Sequence, residues 1–295
     1  MTNVKTNSPR AWILAARPKT LTGAAVPVMI GASYALKTSG WHEFRALPAL
    51  LCMLFAFMMQ IDANLVNDYF DFLKGNDDTT TRIGPRRACS EGWITVRAMR
   101  LGIIITSIVS ALLGLPLILF GGWEIIPVGA LCLLFCFLYT TKLSYLGLGD
   151  VLVLIFFGVV PVCLTAYVSS RILSMEILLS SIACGMVIDT LLVVNNYRDR
   201  DNDRRDGKKT LVVRIGSRLA EQLYLWLGLV ASIIQAIIIA DIKATALVVY
   251  ATLHIATYRQ MCATNHGKQL NRILGITARN MFIYGIIVSA IIILT

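Results

Sequence analysis

Apolar residues run through this chain in nine long stretches, centred near Val28, Phe55, Ile108, Leu133, Phe157, Met186, Val230, Val249 and Gly285, with the polar residues gathered between them. An α-helix rises 1.5 Å per residue, so roughly 17–25 apolar residues cross the ~30 Å hydrocarbon core of a bilayer. Each stretch therefore predicts a transmembrane helix, and the fold class expected is an all-α bundle of nine spans. The composition agrees: 57% of the 295 residues are hydrophobic and 15% are charged, and the mean hydropathy of +0.70 lies far outside the range of soluble domains.

Charge orients the bundle. Of the 27 Lys and Arg residues, only Lys37, Arg45, Arg171 and Lys243 fall in loops of one face; the other 23 belong to the opposite face. Cytoplasmic loops hold the excess of positive charge, which predicts a cytoplasmic N-terminus and an outer C-terminus. The basic surface is expected to meet lipid headgroups of the bilayer and no nucleic acid. Arg17-Pro18-Lys19-Thr20 interrupts the first apolar run, so no secretory signal is expected. The seven Cys are mostly inside apolar stretches, Cys132 and Cys136 have no further metal-type neighbours, and His42, His254 and His266 are isolated. Zinc is not indicated.

One acidic cluster occurs twice. VNDYFD at 66–71 returns as VNNYRD at 194–199, at the inner ends of the second and sixth stretches. This predicts a parallel repeat of two four-helix units, about 11–140 and 149–258, plus a ninth helix at about 277–294, all in one domain. Asn64, Asp68 and Asp71 recur at i, i+4 and i+7, and Asn195, Asp199 and Asp203 at i, i+4 and i+8, so each set forms one stripe facing a central cavity. Asn67 flanks the first stripe, and Asp77 and Asp78 follow Gly75.

Crowded carboxylates require cations. A solvated helix end paired with arginines is one account; the other is Mg²⁺, a hard cation bound by one or two carboxylates together with substrate phosphates. Arg82, Arg86, Arg87, Lys142, Arg198, Lys208 and Lys209 are interleaved with the acids. Metal and guanidinium together neutralise a polyphosphate. A diphosphate at the membrane surface with an apolar cavity behind it describes a prenyl diphosphate, and Tyr69, Tyr139 and Tyr197 could face an allylic cation. A cation-coupled transporter is the reading from another class, although such proteins place their acids near the bilayer midplane.

These motifs resemble those of the UbiA superfamily of intramembrane prenyltransferases, which carry two Asp-rich motifs. The further stretches RPKTL at 17–21, RIGPRR at 82–87, YLGLGD at 145–150, NNYRDRDNDRRDGKKTLVVRIG at 195–216 and LNRILGITAR at 270–279 resemble the branch that prenylates 1,4-dihydroxy-2-naphthoate. The resemblance implies nine helices, Mg²⁺ dependence, and polyprenyl transfer to the naphthoate ring with loss of CO₂, in the menaquinone pathway of the bacterial inner membrane. It implies Asn67, Asp68, Asp71, Asp77, Asn195, Asp199 and Asp203 as metal and diphosphate residues, with Arg82 and Lys208 on phosphate. Arg198, Lys209 and Asn64 are expected beside them, and Arg17, Lys19 or Lys142 on the acceptor carboxylate. Another phenolic acceptor such as 4-hydroxybenzoate is the alternative. Asp62 and Asp189 lie deeper, where ionised groups are expensive and functional by default. Asp189 is expected to face the cavity, and Asp62 to point elsewhere.

Overall fold

A computed structural model describes residues 4–76 and 82–295. Those residues are helical or irregular, with no strand. We number the principal helices α1 (Pro9–Ala16), α2 (Leu21–Glu43), α3 (Ala46–Leu73), α4 (Val96–Gly121), α5 (Ile125–Leu143), α6 (Gly149–Ser170), α7 (Met175–Arg205), α8 (Leu211–Ile215), α9 (Ser217–Ile239), α10 (Leu247–Thr264) and α11 (Leu270–Leu294).

Every apolar stretch of the sequence falls on one of these helices. Seven of them among the described residues, α3, α4, α5, α6, α7, α9 and α11, are long and apolar enough to cross a membrane. The first and eighth stretches are the long helices α2 and α10, which fall short of that standard because polar side chains interrupt them: Thr22, Ser33 and Lys37 in α2, His254 and Arg259 in α10. The chain is an integral membrane protein.

Local chemistry sets the helix ends. Ser8, Thr95, Ser174 and Thr210 cap α1, α4, α7 and α8 by accepting the backbone N–H three residues on. Arg17 ends α1 in the left-handed region at φ 53°, and a 3₁₀ turn over Pro18–Thr20 then starts α2. This corner lays α1 against α3, where Ala11 and Ala15 pack with Leu65, Val66 and Met99.

α2 packs on α3, α6, α7 and α11, while α7 packs on α6, α9 and α11. Between lipid-facing helices close packing, not water exclusion, drives such contacts. α6 and α7 cross with their backbones in contact: a Cβ on Gly158 would lie 2.7 Å from the Gly185 Cα and from the Ser181 carbonyl oxygen. One π-helical turn covers Leu154–Val159 beside that crossing and another covers Tyr139–Leu143 at the end of α5. The ends of α3, α5 and α7 and the 82–94 segment meet at one polar end of the bundle. A cavity of about 340 Å³ opens beneath them, lined by α2, α3, α5, α6 and α7.

Candidate active site

The first acidic cluster divides in two. Asn64 and Asn67 line the cavity, and Asn64 is fixed there by donating to the Ala16 carbonyl and to Thr20 Oγ1, both at 2.9 Å. One turn on, Asp71 meets Lys208 Nζ at 3.2 Å and Arg87 Nη2 at 3.7 Å. Asp68 has another role than the expected cavity ligand: its Oδ2 accepts the Ala88 N–H at 2.8 Å and its Oδ1 the Cys89 N–H at 3.0 Å, with 0% of the residue exposed. Spacings of three and of four residues both fit a helical stripe; the loop amides decide that 64, 67 and 71 form the inner one. Asp77 and Asp78 lie outside the described residues.

The second cluster is organised by Arg198. Its guanidinium grips Asp199 through two nitrogens, at 2.8 and 2.5 Å, and donates to Asn195 Oδ1 at 2.8 Å and Asn271 Oδ1 at 2.9 Å. Asn271 donates in turn to the Ile83 carbonyl at 3.0 Å. Gly84 lies against the same guanidinium, where a Cβ would come within 2.8 Å of Nη2. Arg198 thus links α7, α11 and the segment carrying Arg82 and Arg87. Asn195 lines the cavity. Asp203 is buried, and its carbonyl caps the helix end by accepting the Lys208 N–H at 2.8 Å.

Lys208 completes a second set of contacts with residues that the sequence patterns did not single out. Lys74 stands 4.0 Å and Lys208 5.4 Å from the centre of the Tyr145 ring; Lys74 also donates to the carbonyls of Thr140 and Thr141 at 3.3 and 2.9 Å. Asn76 donates to the Tyr145 hydroxyl. Burial disfavours the Lys208 ammonium, yet the Asp71 and Asp203 carboxylates outweigh it and hold its pKa above the ordinary value. Burial lowers that of Lys74 instead, against the pull of Asp71. This pair of cations over one ring could have been sought in the Lys74 and Tyr145 positions only with the fold in hand.

The other expected residues are dispersed. Tyr139 lines the cavity. Tyr197 does not: it is buried on the far side of α7, donating to Glu221 Oε1 at 2.5 Å and Asn265 Oδ1 at 2.8 Å. Arg82 bonds the Pro85 carbonyl at 2.7 Å. Arg17 Nη2 is 3.9 Å from Asp68, and Lys19, Lys142 and Lys209 are exposed. Asp62 turns to α4, accepting from Thr106 at 2.5 Å and Ser107 at 2.8 Å. Asp189, expected on the cavity face, stands beside it: Ile188, Leu191, Leu192 and Asn195 line the wall and Asp189 does not.

Among the described residues no three carboxylate, imidazole or thiolate groups converge on one point. The donors available, Asn67, Asp71, Asn195, Asp199 and Asp203, are all oxygens, and Lys208, Arg87 and Arg198 supply opposite charge. Such a set suits a hard cation completed by a ligand's own oxygens rather than an all-protein cage.

The chain is 37% identical to the 1,4-dihydroxy-2-naphthoate octaprenyltransferase of Escherichia coli over 229 residues, 73% of this chain and 72% of the relative. It is 31% identical to the protein of that name from Mycobacterium leprae over 283 residues, 94% of each. A solved structure described as a UbiA homolog from Archaeoglobus fulgidus bound to DMAPP and Mg²⁺ superposes with a TM-score of 0.66 at 14% identity, covering 95% of this chain and 99% of that one. The model of the UbiA prenyltransferase family matches residues 24–286, and the chain belongs to that family.

Proposed function

We propose that this protein transfers a polyprenyl group from polyprenyl diphosphate to 1,4-dihydroxy-2-naphthoate with loss of CO₂, giving demethylmenaquinol for menaquinone synthesis. The observation that carries the reading is one juxtaposition: Asp71, Asp199 and Asp203, with Lys208, Arg87 and Arg198, stand over an apolar cavity between α3 and α7. The names of relatives at 31–37% identity supply the acceptor.

Asp71, Asp199 and Asp203, with Asn67 and Asn195, would hold Mg²⁺; when bound, it supplies charge to the departing diphosphate oxygens. Lys208 and Arg87, already turned to Asp71, bind and orient the diphosphate, and Lys74 stands next to them over Tyr145. Phe55, Met59, Phe135 and Phe156 wall the cavity, keeping water from the allylic carbon as its C–O bond breaks. Arg17, beside Asp68, takes the acceptor carboxylate, with the exposed Lys19 and Lys142 attracting anions toward it.

The proposed setting is a bacterial inner membrane with nine spans in two four-helix halves and a ninth helix, the N-terminus and polar end cytoplasmic. The test is purified protein with Mg²⁺, labelled polyprenyl diphosphate and a panel of aromatic acceptors, with products identified by mass. Prenylated 1,4-dihydroxynaphthalene lacking the carboxylate is expected, with 4-hydroxybenzoate much slower. Equal turnover of 4-hydroxybenzoate, or a product that keeps its carboxylate, would move the chain to another acceptor.

A further inference from the structure

Two carboxylates near the cavity are unexplained by the diphosphate machinery. Asp150 sits in the first turn of α6 and Asp189 in the middle of α7, on helices packed together. Asp189 is 5% exposed and its Oδ1 has no hydrogen-bond partner; both Asp150 oxygens are likewise buried and without one. No salt bridge among the described residues involves either. A methyl group at Gly149, next to Asp150, would lie 3.4 Å from Leu192 Cδ2, three residues from Asp189 on α7. Tyr139 lines the cavity. Its hydroxyl end lies against the start of α6, since a methyl group at Gly149 would be 3.7 Å from the Tyr139 hydroxyl oxygen.

Three orphaned carboxylate oxygens in a packed membrane bundle are costly unless they exchange protons with something. The group between them and the cavity is a phenol, able both to donate and to accept. Ten residues of helix separate Asp189 from Asp199, about 15 Å along α7, so Asp189 lies deeper in the bundle than the diphosphate cluster, toward the depth of the acceptor ring.

We propose that Tyr139, Asp150 and Asp189 form a proton relay that ionises a hydroxyl of the aromatic acceptor. This rests on the function proposed above. The acceptor O–H gives its proton to Tyr139 as Tyr139 passes its own to the carboxylate pair. The ring carbon that bears the carboxylate then forms a bond to the prenyl C1, whose bond to oxygen breaks with its electrons leaving on diphosphate, and the acceptor oxygen becomes a ketone. Departure of CO₂ leaves its bonding pair in the ring, restores aromaticity and an oxyanion, and the relay returns the proton. No external acid, base or oxidant is consumed.

The test compares wild type with Asp150→Asn, Asp189→Asn and Tyr139→Phe, using the natural acceptor and a fluorinated analogue whose hydroxyl is already ionised at the assay pH. Binding of labelled polyprenyl diphosphate to the Asp variants is measured in parallel. The relay predicts a loss on the order of 100-fold in kcat with the natural acceptor, recovery of most of it with the ionised analogue, and diphosphate binding within a factor of two of wild type. Unimpaired variants overturn the relay, as does a deficit equal for both acceptors, or one accompanied by lost diphosphate binding. Failure of the wild type itself to prenylate any acceptor would instead refute the proposed function beneath it.

Discussion

Replacing Asp68 by alanine removes the acceptor of two backbone N–H groups, at 2.8 and 3.0 Å, from a residue with no exposed surface. Water does not reach the site, so Ala88 and Cys89 would keep buried, unmet donors. A hydrogen bond to a charged group contributes about 1.5–3 kcal/mol, and the loss here should total about 3–5 kcal/mol. At about 2–4 °C per kcal/mol, the melting temperature in detergent should fall by roughly 10 °C. Asp68→Asn keeps one acceptor oxygen and should lose about half as much. The assay is the monodisperse fraction remaining after heating, measured without Mg²⁺ or substrate so that ligand binding cannot contribute. Turnover should fall as well, because the tethered segment carries Arg82 and Arg87. An unchanged melting temperature together with a lost response to Mg²⁺ would refute this assignment and return Asp68 to the cavity ligands.

Asp71→Asn and Asp199→Asn should each lower prenyl transfer by orders of magnitude, and excess chelator should abolish it reversibly; full activity with chelator would exclude the metal. Thr106→Val with Ser107→Ala should cost about 1–3 kcal/mol of stability, at about 0.6–1.7 kcal/mol for each hydrogen bond inside a membrane bundle, and leave product chemistry unchanged, as followed by thermal melting and product mass. Because the folded Lys208 pKa is raised, its contribution is complete below the ordinary lysine value near 10.4 and disappears as pH rises through the higher folded value. Melting curves of wild type and Lys208→Met should therefore converge only at strongly alkaline pH.

The bundle was legible because apolar length is a direct physical requirement of the bilayer, and each stretch became a helix. The paired clusters stood out for a similar reason, since Asn64, Asp68 and Asp71, and Asn195, Asp199 and Asp203, recur with helical spacing. What separated Asp68 from Asp71 was not in that spacing. Adjacent positions on a stripe differ by a fraction of a turn, and only the chain returning at Ala88 and Cys89 distinguishes them. Tyr197 shows the same limit: its neighbours Glu221 and Asn265 are 24 and 68 positions away. Arg198 finds Asn271 across 73 positions, and no local signal marks either partner. The π turn that brings Tyr139 to the cavity is likewise silent in composition, because π and α turns accept the same residues.

The crossing at Gly158 and Gly185 fixes how this enzyme could diverge. With the two backbones in contact, the seam cannot be widened or parted without breaking it. Under the proposed function, a lineage adapting to a longer or shorter isoprenoid must keep the spacing of α6 and α7 and remodel the chamber through the side chains that face it, Phe55, Met59 and Phe135 on α3 and α5 and Phe156 and Leu164 on α6. The ruler for tail length is therefore carved in side chains, while the α6–α7 seam supplies the fixed frame against which it measures.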